Sequence, residues 1–567
     1  MKQSTNPQIT QSPVKGLRAI VMGAGHGKRM RSKLAKVLHP VAGRPMILYA
    51  VELAGRVAGE GIAVVVGYQG DRVRPLLEAS GRSPAPVSSS ANGPKPAPSS
   101  TGLLGNHAWS PLVVEQAQQL GTGHAVMQAH AAFQRARGGS ASAYVILNGD
   151  TPLLKESTLR ELVRQHETDN AAVTILTAVL EDPTGYGRVV RDKTDGRNDR
   201  AKGRVRRIVE DRDAGADELR LCEVNVGTYV VEAAFLSEAL QKLQPQNVQR
   251  EYYLTDIVGE AVERGLQVSA LTLRDPDEGV GINTRQQLAA VEQAVRRQIC
   301  DRWMQAGITI RDPATTYIDA EVEIGQDTVL HPNVMLEGQT RIGEDCVIRP
   351  QTHIAESVLG DRVTVLDCCV IRESRLEDGS TVGPFAHLRP GTAVRRGAKV
   401  GNFVEMKKAD LGEGSKANHL SYLGDTRIGK GVNIGAGTIT CNYDGLRKYE
   451  TVIEDEVFVG SDTQLIAPVT VGRGAVIAAG TTVTQDVPAD ALAIARTTQS
   501  NRPGWAARRR ALPPRGDSVS SEPQVGSSKF GVRKPRASNS EPRATAREPL
   551  VVPRSRTAGK SKRAGKK

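Results

Sequence analysis

YIDAEVEIGQDTVLHPNVMLEGQTRIGEDCVIRPQTHI, residues 317–354, places an aliphatic residue at every sixth position: Ile318, Ile324, Leu330, Leu336, Ile342, Ile348 and Ile354. Four residues beyond each stands a second small or β-branched residue: Val322, Thr328, Val334, Thr340, Cys346, Thr352 and Val358. Helices repeat near 3.6 residues and half-buried strands at 2, so neither sustains a period of six. A solenoid does, because each six-residue unit makes one short strand and a turn and aims its aliphatic residue at the axis. Val382, Leu388, Val394, Val400 and Met406 keep the step farther on, as do Ile453, Val459, Leu465, Val471, Ile477 and Val483. Gly often follows the aliphatic residue (Gly325, Gly343, Gly383, Gly401, Gly460, Gly472), and is read here as supplying unusual turn dihedrals. Residues 307–500 are therefore expected to form a parallel β-helix of hexapeptide repeats.

Upstream of the repeats, residues 284–306 carry Leu288, Val291, Val295, Ile299 and Trp303 at helical spacing, which predicts a helix linking two domains. Before it, LRAIVM (17–22), IAVVV (62–66) and YVIL (144–147) read as buried strands separated by helical patterns. That alternation predicts an α/β, Rossmann-like domain over 17–283 with a mostly parallel sheet. Residues 80–101 and 191–204 are low in complexity and read as flexible insertions. Residues 1–16 read as a flexible start, and 501–567 as a disordered basic tail.

Composition narrows the class. Hydrophobic residues make up 39%, enough for a large core, while 57 glycines with only 4% aromatics suit many tight turns and small inward side chains. The net charge of +13 would suggest nucleic acid, but residues 501–567 hold 18 Lys or Arg against four Asp or Glu, a balance of +14. The preceding 500 residues therefore sum to about −1, so the body is not a basic surface. Six cysteines without CxxC pairing argue against a zinc site or a disulfide framework. No apolar h-region opens the chain and no run approaches eighteen apolar residues, so a cytoplasmic protein without membrane spans is expected.

The chemistry-bearing motifs fall in both halves. Gly23-Ala24-Gly25-His26-Gly27-Lys28-Arg29-Met30 leaves a strand and enters a helical stretch, so backbone N–H groups can approach phosphate oxygens while Arg29 and Lys36 neutralise charge. Gln116–Ala125, Gly149-Asp150-Thr151-Pro152-Leu153, Thr184-Gly185-Tyr186-Gly187-Arg188, Ile208-Val209-Glu210, Glu251–Asp256 and Gly281-Ile282-Asn283 follow in order. Within the repeats, Arg389, the Asn402–Lys408 and Ser415–Asp425 blocks, Asn433–Thr438 and Cys441-Asn442-Tyr443-Asp444-Gly445 depart from what a coil needs. Among these, His419 has the residue type of a general base, because imidazole titrates near neutral pH. Cys441 has no dedicated Cys–His pair beside it in sequence, so direct attack is preferred over an acyl-cysteine.

Together these blocks resemble the bifunctional N-acetylglucosamine-1-phosphate uridyltransferase / glucosamine-1-phosphate acetyltransferase family, over about residues 17–505. The resemblance implies a left-handed, trimeric solenoid with acetyltransferase sites between subunits. It implies acetyl transfer from acetyl-CoA to glucosamine-1-phosphate. Uridylyl transfer from UTP to N-acetylglucosamine-1-phosphate then supplies UDP-N-acetylglucosamine for peptidoglycan and lipopolysaccharide. By the same resemblance Gly25, Arg29 and Lys36 serve the nucleotide phosphates, and Gln116, Gly121 and Thr122 contact uracil. Gly187, Glu210 and Asn225 hold the sugar phosphate, and Asp150 and Asn283 bind Mg²⁺. At the other end it assigns His419 as base, with Arg389, Lys407, Tyr422 and Asn433 on the sugar phosphate. Ala436, Asn442, Tyr443, Ser461, Ala479 and Arg496 are assigned to acetyl-CoA. The chain departs from the family's usual form at Gly23 (for Ala), Lys28 (for Thr), Ala35 (for Pro) and Asn148 (for Tyr).

Two other readings compete: a single-activity nucleotidyltransferase with an oligomerising stalk, and a scaffold that binds nucleic acid through the basic tail, sequence-blind and salt-dependent.

Overall fold

The computed structural model describes residues 12–80, 110–136, 141–192 and 203–511. Most of the expected insertions, the first eleven residues and the tail from residue 512 lie outside these. The chain up to Thr497 forms one compact unit.

Its first part is a twisted sheet. The strands run in the order Val268–Thr272, Val173–Val179, Glu223–Glu232, Ala143–Asn148, Leu17–Gly23, Ile62–Val66, Leu112–Glu115. Along this path only Glu223–Glu232 runs antiparallel to its neighbours. Arg188–Arg191 and Val205–Val209 form an antiparallel pair attached beside it. Both faces are covered, which is why the strands read as continuous apolar runs rather than alternating ones. Ala19 and Val21 pack with helices Met46–Ala58 and Glu156–Thr168, and Ile20 packs with Thr122–Arg135, Ala233–Lys242 and Asp256–Glu263.

The linking helix spans Arg285–Gln305 and opens on a capping box. Thr284 Oγ1 accepts from Gln287 N at 3.2 Å, and Gln287 Oε1 accepts from Thr284 N at 3.0 Å. Val291, Val295, Ile299 and Trp303 are buried, and one apolar cluster runs from the sheet through this helix into the solenoid.

The solenoid is built from parallel strands of mostly two or three residues, stacked coil on coil. Leu330, Ile348, Val365, Val382, Val400, Ala417, Ile434, Val459 and Ile477 lie in one register. Successive members are 18, 17, 17, 18, 17, 17, 25 and 18 residues apart. The period is thus not strictly six. Each 17-residue coil contains one five-residue unit (Ile354 to Leu359, Ile371 to Leu376, Met406 to Leu411, Leu423 to Ile428), and all these residues are buried. Val358 accordingly does not continue the second series: it is exposed, and Ser357 is buried in that place. The 25-residue coil carries the extra loop around residues 442–450.

The glycines need a second correction. Gly325, Gly343, Gly401, Gly460 and Gly472 have ordinary φ, and Gly383 alone of the six is left-handed. A Cβ on Gly325 would meet Gly343 C at 2.5 Å, and one on Gly460 would meet Ala479 N at 2.5 Å. They are glycine because the next coil's backbone stacks directly against them.

The hairpin Pro40–Val41/Arg44–Pro45 fastens the two parts together. Ala42 N donates to Glu292 Oε2 at 2.7 Å, and Ala320 N donates to Ala42 O at 2.9 Å. Gly43, at φ 74°, lies against Asp319, where any Cβ would collide with the carboxylate. Burial pushes the Asp319 carboxyl up to about 6, with Glu337, Glu292 and Glu321 adding to the effect and the Gly338 N–H opposing it. The folded protein therefore holds this proton more tightly than the unfolded chain, and the stability it contributes fades as pH rises from about 4 through 6. Asp319→Asn is expected to stabilise the protein by about 1 kcal/mol at pH 8, after allowing for partial exposure, and by almost nothing at about pH 3, below the unfolded carboxylate range. Thermal melts at the two pH values check this.

Within the expected basic tail, Trp505–Ala511 forms a short exposed helix, with the Arg509 guanidinium 5.5 Å from the Trp505 ring centroid. Ala and Arg are good helix formers, and the ring and guanidinium meet at i,i+4. Among the described residues no helix is long and apolar enough to cross a membrane.

Candidate functional site

The first candidate site lies beyond the C-terminal ends of the central parallel strands, where α/β sheets leave a crevice for ligands. Strand Leu17–Gly23 runs beside Ala143–Asn148, and Gly149 N donates to Met22 O at 2.9 Å. The loop after the first strand and Asp150 after the second are therefore neighbours. A Cβ on Gly25 would meet nothing within 4 Å, so no protein contact demands glycine there and its backbone faces open space. Gly27, at φ 63°, would place a Cβ 2.6 Å from Lys36 Cβ, so that glycine lets the lysine stem pass. Lys36 pairs with Asp150 Oδ2, and its Nζ lies 3.2 Å from Asn283 Oδ1. Asn283 N donates to Gln287 Oε1 at 2.8 Å, so the capping box of the linking helix also fixes this asparagine. Exposed Arg29 reaches toward Gly185, its Nη1 lying 3.5 Å from where a Cβ on that glycine would sit.

The residues expected around uracil form a laced loop. Gln116 is buried and its Nε2 donates to Gly121 O at 3.1 Å, close to His124 Nδ1 at 3.0 Å. Gly121, at φ 103°, would drive a Cβ to 2.6 Å from Tyr252 O. Thr122 Oγ1 accepts from Leu254 N at 3.1 Å. The sugar-phosphate residues continue the rim. Thr255 Oγ1 donates to Glu210 Oε1 at 3.2 Å, and Asn225 N donates to Gly187 O at 2.8 Å. Asn225 is oriented by both ends of its amide: Nδ2 donates to Tyr229 Oη at 2.6 Å, and Oδ1 accepts from Gly227 N at 3.1 Å. Burial raises the Glu210 carboxyl, and Asp256, Asp213 and Asp211 push the same way against the Thr255 hydroxyl.

Three residues that sequence reasoning left out of the site stand in it. Asn148, at a position where the family usually has Tyr, donates from Nδ2 to Val226 O at 3.2 Å and ties the Asp150 strand to the Asn225 turn. Tyr186 is largely buried with Asp150 and Arg29 near enough to act on its hydroxyl. Gln69 supports Lys36: its Oε1 accepts from Ala35 N at 2.9 Å and its Nε2 donates to Lys33 O at 2.8 Å. The signal for Gln69 was the departure at Ala35, because a proline has no N–H to satisfy and an alanine does. Gln69→Leu is expected to lower stability by about 1–2 kcal/mol and to weaken UTP use, by leaving that N–H unpartnered. Ala35→Pro in the same background should recover most of both, since Ala35 already has φ −56°. Melting temperatures and uridylyl-transfer kinetics of the two variants check it.

The second candidate site is a corner of the solenoid. Register places Asn402 beside His419, and the same register continues through Ala436, Ser461 and Ala479. One residue per coil thus makes a column, at about 4.8 Å per step. His419 Nδ1 lies 2.7 Å from Asn402 Oδ1. An amide oxygen only accepts, so Nδ1 carries the proton and Nε2 keeps its lone pair toward solvent. Asn402 stood in a quoted block but was not named for the site. The rest of the column has small side chains, and Arg496 Nη1 donates to Ala479 O at 3.0 Å at its end.

On the adjoining face Arg389 pairs with Glu405 at 2.7 Å. Lys448, another residue missed in sequence, stands beside Lys407, and it and Arg389 together pull the Lys407 ammonium down. Such like charges gather where an anion is to be held. A Cβ on Gly424 would come within 2.5 Å of Tyr422 Oη and 2.8 Å of Asn442 Nδ2, so that glycine lets the two approach. Asn442 Nδ2 also donates to Asp425 Oδ2 at 2.5 Å. Tyr443 projects from the 442–450 loop, exposed, its hydroxyl donating to Gly445 O at 2.5 Å. Asn433 begins a strand on the face that carries Val400, Ala417 and Ile434, whereas Lys407 and Tyr422 lie in strands of the neighbouring one and Arg389 directly follows another of them. Burial pushes the Cys441 thiol up, which keeps it a thiol rather than a nucleophilic thiolate.

Comparison with known proteins separates the two halves in the same way. Residues 18–304 match the nucleotidyl transferase family, and residues 321–356 and 450–485 match the bacterial transferase hexapeptide repeats. Proteins named "Bifunctional protein GlmU" align with nearly the whole chain. The one from Trichlorobacter lovleyi is 46% identical over 493 residues, 87% of this chain and 98% of that protein. Those from Geotalea uraniireducens and Geobacter metallireducens are 45% and 46% identical, over 86% and 87% of this chain and 98% and 99% of theirs. The chain belongs to the bifunctional GlmU family, a uridylyltransferase joined to an acetyltransferase.

Proposed function

We propose that the chain makes UDP-N-acetylglucosamine in two steps at the two places described. At the solenoid corner the amine of glucosamine-1-phosphate attacks the thioester carbonyl of acetyl-CoA. His419 Nε2 takes the amine proton, the C–S bond breaks, and coenzyme A leaves as its thiol once protonated. Asn402 holds the imidazole in the tautomer this needs. Arg389, Lys407 and Lys448 face the phosphate of the sugar, and the small-residue column through Ala436, Ser461 and Ala479 gives the pantetheine arm a lane leading away from His419.

At the sheet edge a phosphate oxygen of N-acetylglucosamine-1-phosphate attacks the α-phosphorus of UTP, and pyrophosphate leaves. Such transfers depend on alignment and charge neutralisation more than on covalent help from the protein. Arg29, Lys36 and the open backbone at Gly25 hold the triphosphate, while Gln116, Gly121 and Thr122 shape the place for uracil. Glu210 and Asn225 face the sugar. Asp150 and Asn283 fit a divalent cation such as Mg²⁺, because their oxygens already converge on one positive group, the Lys36 ammonium. When bound, that ion supplies neutralisation of phosphate charge.

A homotrimer suits the exposed apolar residues next to His419. Phe385 and Phe403 stack at 5.3 Å and Leu420 follows them, an exposed apolar row of the kind a partner surface covers. The cytoplasm, which supplies UTP and acetyl-CoA, is the compartment this chemistry requires.

The His419–Asn402 pair at the head of the column carries this reading over a nucleotidyltransferase with an inert stalk. Incubation with glucosamine-1-phosphate, acetyl-CoA, UTP and Mg²⁺, omitting one reagent at a time, tests it. Free coenzyme A should appear without UTP, and pyrophosphate should appear without acetyl-CoA only when N-acetylglucosamine-1-phosphate is supplied. Failure to release coenzyme A from assembled protein would leave only the stalk.

A further inference from the structure

Lys36 stands where the cation is wanted. Its ammonium is paired with Asp150 Oδ2 and lies 3.2 Å from Asn283 Oδ1, the two oxygens assigned above to a divalent ion. The backbone beneath both oxygens is tied down. Asn283 Nδ2 points to Gly281 O at 3.4 Å and its backbone N–H is tied to the helix cap, while Ile282 N donates to Asp150 O at 3.0 Å. The lysine is the mobile partner, a charge on a flexible four-carbon stem whose root packs under Gly27. Arg29 and Tyr186 stand beside this cluster, and neither brings a negative charge.

We propose that Lys36 is a tethered competitor for the divalent cation, so that the metal binds tightly only after a nucleoside triphosphate has drawn the ammonium off Asp150. The proposal rests on the placement of the metal at Asp150 and Asn283. An ammonium and a divalent ion repel each other and compete for the same two oxygens, of which only that of Asp150 carries charge. With its charge already neutralised it gives a hard cation little reason to shed water. A triphosphate changes both terms: its oxygens take the ammonium and at the same time add ligands for the metal. Metal and nucleotide must then strengthen each other's binding by the same factor. The free enzyme carries its own cation and trades it for the metal as UTP arrives.

Manganese(II) is the probe, with the electron paramagnetic resonance signal of the free aquo ion reporting unbound metal and the full-length protein in every arm. Nucleotide-free Lys36→Met should bind Mn²⁺ at least tenfold more tightly than the nucleotide-free parent, and saturating UTP should tighten the parent by at least tenfold beyond the Mn²⁺ that the same UTP takes up without protein. Lys36→Ala, which removes the stem as well, should behave as Lys36→Met does. If neither variant binds Mn²⁺ more tightly than the parent without nucleotide, the competition does not exist. Failure of the metal placement itself looks different: Asp150→Asn would then bind Mn²⁺ with UTP as well as the parent does.

Discussion

His419→Ala should lower acetyl transfer about a thousandfold while leaving uridylyl transfer to supplied N-acetylglucosamine-1-phosphate within twofold of the parent. The size follows from the role: a positioned general base contributes roughly 10²- to 10⁴-fold. The selectivity follows from the place. His419 is exposed at a solenoid corner, bonded through Nδ1 to Asn402 on the preceding coil, and its removal opens no cavity in the coil interior. Asn402→Ala is expected to give a smaller loss in the same reaction, because the ring then rotates and shares its proton between both nitrogens. Coenzyme A release followed with a thiol reagent, and pyrophosphate release in parallel, separate the two activities. Loss of both in a folded His419→Ala protein would mean that the sites are not independent.

The solenoid was legible because an axial residue has one job. Ile318 through Ile354 point inward at a fixed step, and no other fold asks for that. What the repeat hid was its own slippage. A five-residue unit brings the next member of each series forward by one position, so a step of six from Thr352 lands on Val358, where the chain has turned outward, instead of Ser357. The stacking glycines were misread for a related reason: sequence shows that Gly460 recurs after an aliphatic residue but not that Ala479 N sits 2.5 Å from its missing Cβ. That distance belongs to the next coil, 18 residues on.

The site divided along the same line. Residues carried by a contiguous motif, such as Asp150 or His419, could be named from sequence. Residues acting across long separations could not: Gln69 reaches Ala35 across 34 positions, and Lys448 meets Lys407 only because an extra loop leaves the coil. The column Asn402, His419, Ala436, Ser461, Ala479 is spaced by 17, 17, 25 and 18 residues and becomes a line only once the coils are stacked. The expectation that Asn433 joins Arg389, Lys407 and Tyr422 around one sugar phosphate meets a different geometry, since its strand lies on another face.

Asp150→Asn should reduce uridylyl transfer by at least 10²- to 10³-fold, the loss typical when a preorganised electrostatic partner is removed, and should leave acetyl transfer intact. Asparagine keeps the shape and can keep one oxygen in place, so a large effect would measure the carboxylate charge and not the volume. That charge does two things in this structure. It holds Lys36 between itself and Asn283 in the resting protein, and it is the negative charge opposite the Gly25 loop on which a divalent cation with its phosphates could settle. Both partners are mostly buried, at 15% and 14% side-chain exposure, so the melting temperature should fall as well, and activity is compared on protein that remains folded at the assay temperature. Isotope exchange between pyrophosphate and UTP in the presence of UDP-N-acetylglucosamine reads the chemical step directly. If Asp150→Asn slowed only the approach to saturation by UTP and left the maximal rate alone, the carboxylate would serve nucleotide binding and not the transfer.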